Sequence, residues 1–181
     1  MILRTVLMGA ALTLTCLAVS AAASWRVVEV AGAVRTGGPG LMPSVPAPSS
    51  TIAEGGWIET GADGKIAMVR GADEVKVNPN SRILFFTTKA AGDPAILQSV
   101  GAVAYAASGP HLTIATPYLI AAPVNKSKFT VEVADGTASV AVTTGTVEVT
   151  AGAITVPVQA GHIGKAAGGP GAVSGVTIEK Q

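Results

Sequence analysis

The sequence predicts an all-β fold, and three observations predict it. Residues 129–150, FTVEVADGTASVAVTTGTVEVT, alternate apolar with polar or small side chains almost without a break, the two-residue period of a half-buried strand. No segment past Ser24 carries apolar residues at i, i+3, i+4 and i+7 over helical length. Charged residues are only 13% of the 181-residue chain, against about a quarter in an ordinary globular protein. Thr, Ser, Gly, Ala and backbone must therefore cover the surface, which suits strands better than solvated helices. The expected architecture is a single domain of short, mostly antiparallel strands, arranged as a meander or sandwich or as a solenoid-like coil.

Residues 1–23 stand apart as an expected cleaved, helical signal peptide. MILR gives a positive start, TVLMGAALTLTCLAV an apolar core, and Ala21-Ala22-Ala23 a small-residue site for cleavage before Ser24. The apolar run is shorter than the roughly 18–20 residues that span a bilayer, so no membrane span is expected in the mature chain. The single cysteine, Cys16, leaves with the signal, which excludes disulfides and thiolate chemistry from residues 24–181. Removing Arg4 also leaves as many basic as acidic residues. A neutral chain without a basic cluster excludes nucleic acid as a partner.

The elements follow in order. WRVVEVAGAVR, residues 25–35, is β-branched and broken by Gly32. Residues 36–50, TGGPGLMPSVPAPSS, read as an exposed Pro/Gly-rich loop insertion, since Pro39, Pro43, Pro46 and Pro48 interrupt any ladder. Short runs then alternate with Gly-Ala-Asp and Asn-Pro-Asn turns up to ILQSVGAVAYAA, residues 96–107, whose valines and Gly101 favour strand. Asp135-Gly136 is a two-residue hairpin signal. Folding there sets Val133 opposite Ala138, Val131 opposite Val140 and Phe129 opposite Val142 on one apolar face, with Glu132–Ser139 and Thr130–Ala141 on the other. Hairpins at Thr144-Gly145 and Ala151-Gly152 would extend the meander and keep Val142, Val147, Val149, Ile154 and Val156 on the buried face. Bending at those glycines into a solenoid is the alternative, because β-branched Thr144 resists positive φ. Gly-x-Val recurs at Gly32, Gly101 and Gly145 at unequal spacings, and reads as a corner used three times.

Reactive constellations are scarce. His111 and His162 have no second ligand at metal spacing and read as turn or surface histidines. No serine sits in a nucleophile elbow, and no glycine loop leads into a helix. Asp63, Asp73 and Glu74 lack the spacing of a calcium loop and read as solvated turn carboxylates. Trp25, Trp57 and Tyr118 read as core anchors, with a sugar-stacking platform as the alternative. No catalytic, cofactor or metal residue is assigned, and the chain is expected not to be an enzyme.

From end to end the mature sequence resembles the FecR domain, the periplasmic β-rich module of iron-responsive transmembrane regulators and related exported proteins. WRVVEVAGAV is similar to the opening strand pair. AEGGWIETGADGKIAMV, VKVNPNSRILFF and ILQSVGAVAYA follow in the family's order. IATPYLIAAPVNKSKFTVEVADGTASVAVTTGTVEV carries the most specific match, through Thr116-Pro117, Val124, Phe129, Val131, Val140, Val142, Gly145, Val147 and Val149. VQAGHIG resembles the closing turn. The departure is Lys126-Ser127, which stands where the family has Gly-Thr. The resemblance implies a stand-alone, exported binding module of the periplasm or cell envelope, with a protein-interaction or signalling-accessory role. Its implied partner is an envelope protein or cell-surface signalling component, and a glycan- or peptidoglycan-binding structural role is the alternative. Lys126, Ser127 and Lys128 are the candidate partner contacts, with the 37–50 loop as a second surface.

Overall fold

The computed structural model describes residues 24–88, 93–169, 172–173 and 175–181, and in them the chain is all-β. The expected signal peptide, residues 1–23, lies outside the described residues. Two layers of strands enclose one hydrophobic core. The chain enters the first layer as β1 (Trp25–Ala31), crosses to the second for β2 (Val34–Gly38) and β3 (Leu41–Ser44), and returns for β4 (Thr51–Ile52). β5 (Trp57–Thr60) lies in the second layer, β6 (Lys65–Arg70) and β7 (Asp73–Val77) in the first, and β8 (Arg82–Thr87) in the second. β9 (Pro94–Ala107) belongs to both: residues 94–100 pair with β8 in the second layer, and residues 103–106 pair with β7 in the first. β10 (Thr113–Ala115) and β11 (Ile120–Pro123) continue the second layer, β12 (Ser127–Ala134) and β13 (Thr137–Thr144) the first. β14 (Thr146–Ala151) and β15 (Ile154–Gln159) close the second layer. β16 (His162–Gly169), with the short β17 (Ala172–Val173) paired to its end, and β18 (Thr177–Lys180) close the first.

Beyond their edge strands β4 and β3, both layers therefore advance in chain order from one end of the molecule to the other. The first runs β4-β1-β6-β7-β9-β12-β13-β16-β18 and the second β3-β2-β5-β8-β9-β10-β11-β14-β15. The progression is that of a solenoid and the pairing that of a sandwich. The β9–β10 contact is parallel and the other pairings are antiparallel. Alternation puts Val131, Val133, Val140 and Val142 of the first layer and Val147 and Val149 of the second into the shared core. One of the buried polar side chains, Gln98, is fully enclosed. Gln98 donates to the carbonyls of Gly101 and Val131 at 2.8 and 2.9 Å and accepts from the Tyr105 hydroxyl at 3.0 Å, so its amide is satisfied. Burial pushes the Tyr105 phenol well above its ordinary pKa, and it serves as a neutral donor.

The 129–142 hairpin forms in the expected register, with Asp135 and Gly136 at φ 49° and 75°. The three Gly-x-Val sites are corners between layers. Gly32 turns β1 into β2, Gly101 carries β9 across, and Gly145 turns β13 into β14, at φ 64°, 90° and 80°. Each corner is held alike: the next residue donates its N–H to a side chain of a neighbouring turn. Ala33 bonds Asp63 Oδ1 at 3.2 Å, Ala102 bonds Ser81 Oγ at 3.1 Å, and Thr146 bonds Asn125 Oδ1 at 3.1 Å. A Cβ at Gly32, Gly101 or Gly145 would run into Asp63, Ser81 or Ser127.

Three expectations need correction. Thr144-Gly145 is a layer crossing and not a hairpin: β13 pairs with β16, and β14 with β11 and β15. The 36–50 segment is not wholly a loop, because Gly40 at φ 71° closes a short β2–β3 hairpin. Ile154 is on the inward side of β15 but 51% exposed, because β15 is the last strand of its layer.

Candidate functional site

The expected contact residues separate on folding. Ser127 is 1% exposed. Its hydroxyl lies 3.0 Å from the Asn125 carbonyl, 3.1 Å from Asn125 Oδ1 and 3.1 Å from the Thr146 carbonyl, so it ties the Gly145 corner to the preceding turn. Lys126 and Lys128 are exposed on either side of it. Among the described residues the positive-φ positions other than glycine are Ser49, Asn80 and Asp135, so Lys126 fits its turn without a left-handed backbone. Lys128 edges a shallow groove on the outer face of the first layer, beside Glu74 and Lys76, which pair at 3.0 Å. The structure thus divides the triplet into an internal fastener and two surface cations.

A second cluster forms where the sequence suggested only turns. Asp73 begins β7 on the same inward face as Val75 and Val77 and is 2% exposed. Ser108 donates both its N–H and its hydroxyl to Asp73 Oδ1 at 2.8 Å, and His111 Nε2 lies 2.8 Å from Oδ2. The expectation of a solvated carboxylate capping its own turn is corrected here: Asp73 fastens the β9–β10 connection to β7. Burial pushes the Asp73 carboxyl up, but the two Ser108 donors and then His111 outweigh it and hold the carboxyl below its ordinary pKa. The arrangement does not activate a nucleophile. The serine hydroxyl is spent on the carboxylate, and the imidazole faces that same carboxylate.

Beside this cluster opens a cleft of about 330 Å³, floored by Trp25, Phe85 and Phe86 and edged by Glu54, Arg70 and His111. The Trp25 and Phe85 rings meet across the two layers at 5.6 Å, and the Arg70 guanidinium lies 5.5 Å from the Trp25 ring. Burial lowers the Arg70 pKa, against the pull of Asp73 and Asp93. Trp25 is 4% exposed, with a cation near its ring, so it offers no face for sugar stacking. Trp57 is half-buried with Arg82 6.0 Å from its ring, and Tyr118 packs against the core. Their burial weakens the glycan-platform alternative. Among the described residues no group of three or more His, Cys, Asp or Glu could hold a metal, and no helix is long and apolar enough to cross a membrane.

This two-layer architecture recurs in a known protein. Two crystal structures of a "putative anti-sigma factor" from Parabacteroides distasonis ATCC 8503 are similar to it, with TM-scores of 0.58 and 0.57 at 14% sequence identity, over 69% of this chain. The chain spans 59% of the length of that protein. At this identity the likeness is one of fold. No family model matches the chain, and no curated protein does.

Proposed function

We propose that the chain is a FecR-like, non-enzymatic binding module of the periplasm or cell envelope, acting in a protein-interaction or signalling-accessory role. The observation that carries this reading is the fold shared with the anti-sigma protein, taken with the order of FecR-like motifs along the sequence. The motif residues have matching structural work: Gly32, Gly101 and Gly145 make the corners, and Ser81 and Ser127 bond across them. A module of this kind works through sheet edges and exposed turns, and Lys126 and Lys128 are its candidate contact cations. An envelope protein or a cell-surface signalling component is the fitting partner.

In-cell crosslinking of the tagged protein at native expression tests the reading. Recovery of an outer-membrane receptor or membrane-bound regulator supports it. Enrichment of peptidoglycan or polysaccharide instead overturns it in favour of a glycan-binding envelope protein. Export is tested separately by N-terminal sequencing of the protein in the periplasmic fraction, where Ser24 is the expected first residue.

A further inference from the structure

We propose that β18 is a self-association edge, through which the chain pairs with a second copy of itself in an antiparallel ladder centred on Ile178. The four sheet edges are finished differently. β3 contains Pro43. β4 has two residues, and the rest of that edge, on β1, is broken by a bulge between Val27 and Glu29. On β15 the bond from Ala160 N to Gly145 O sets the parity of the ladder, so that positions 155, 157 and 159 face away from β14. Position 157 is proline, which removes an outward donor. These are devices that keep strand edges from pairing with other chains. β18, with the sequence TIEK, contains no proline, and among the described residues nothing pairs with its outer side.

The orientation of its backbone follows from two bonds. Gly168 N donates to Gly136 O, which turns Gly164 toward β13 and leaves Ile163 and Lys165 facing β18. Gln181 N donates to Gly161 O at 2.9 Å in the same phase. Thr177 and Glu179 therefore bond β16, and Ile178 and Lys180 present N–H and C=O to the open side. Ile178 lies opposite Gly164 on the inward face and is 42% exposed, so the core runs out to solvent there.

A second copy fits this edge in one register best. With Ile178 opposite the second copy's Ile178, a two-fold axis normal to the layer keeps both inward faces on one side. Val176 then faces Lys180, and Thr177 faces Glu179, so no like charges meet. Every facing pair with outward groups can exchange bonds. Centring on Glu179 opposes two carboxylates, and centring on Thr177 gives a shorter ladder. Pairing Ile178 with Glu179 would put the two second layers on opposite faces. The proposal goes beyond the binding reading above and is independent of which envelope partner the module meets.

Sedimentation of the purified protein across a concentration series tests it. The expected result is a concentration-dependent doubling of mass. Ile178→Pro should abolish the doubling while leaving the β16 ladder intact, because the amide it removes points outward. Ile178→Lys keeps the amide but sets two cations on the axis, and should also give monomer. If the proline variant unfolds, the lysine variant decides alone. A monomer at every concentration, or a dimer that survives Ile178→Lys, overturns the proposal. Crosslinking of Ile178→Lys to the envelope partner at the wild-type level leaves the binding reading standing, and sedimentation of the same variant decides the edge proposal separately.

Discussion

Gly-Ala-Asp occurs twice, at residues 61–63 and 71–73, and the two copies end in opposite circumstances. The first turns the chain from the second layer to the first. Asp63 remains exposed there and makes one bond, to the N–H after the Gly32 corner. The second closes a hairpin within one layer, with Gly71 at φ 60° and Arg70 opposite Asp73. Strand alternation then turns Asp73 to the core side, where three donors from residues 108 and 111 meet it. The same tripeptide is a surface brace in one place and a buried anchor in the other. What separates them is whether the next strand starts on an inward or an outward step.

The comparison breaks most sharply at Asp73. Asp73→Ala leaves the Ser108 N–H without its acceptor and should cost about 3 kcal/mol, read from the urea midpoint. Acid sharpens the contrast. Because the folded Asp73 pKa is depressed, its contribution is present above the ordinary aspartate value of about 3.9 and is lost as pH falls through the folded value. Wild type should therefore lose stability below about pH 4 more steeply than Asp73→Asn, in parallel melts. An identical acid slope in the two proteins would show that the carboxylate is not held as described. Gly71→Ala, at a left-handed backbone with open space around it, should cost about 1 kcal/mol. Asp63→Ala removes a single exposed bond, and its expected effect is the smallest, at most about 1 kcal/mol by the same measurement.

Legibility followed the range of the interaction that decides each element. The hairpin at Asp135-Gly136 was readable to the residue, because turn chemistry and alternation are both local and both hold. The Gly-x-Val corners were readable as corners, since a glycine between two apolar runs has few other uses. That they pass between layers was not readable, because the decision rests on Asp63, Ser81 and Asn125, which lie on neighbouring turns. Thr144-Gly145 shows the same limit. A β-branched residue argued against a tight turn, but only the Asn125 and Ser127 contacts show where the strand goes instead. Asp73 was misread because its partners are 35 and 38 residues away. No pattern within a strand-length window reveals them. A period-two reading from Asp73 through Val75 and Val77 was the available signal, since it places a carboxylate on the apolar phase.

β9 is one unbroken strand of 14 residues shared by both layers, with Gly101 fitted against Ser81 at its bend and Gln98 bonded across to β12. A slip of one residue would lose both fits at once, so β9 fixes the phase of one layer against the other. The layers then have no seam along which to part. Thermal unfolding should be a single event in which amide protons of both layers exchange together, and tension applied near β18 would travel through laddered strands to the far end of the molecule with little give.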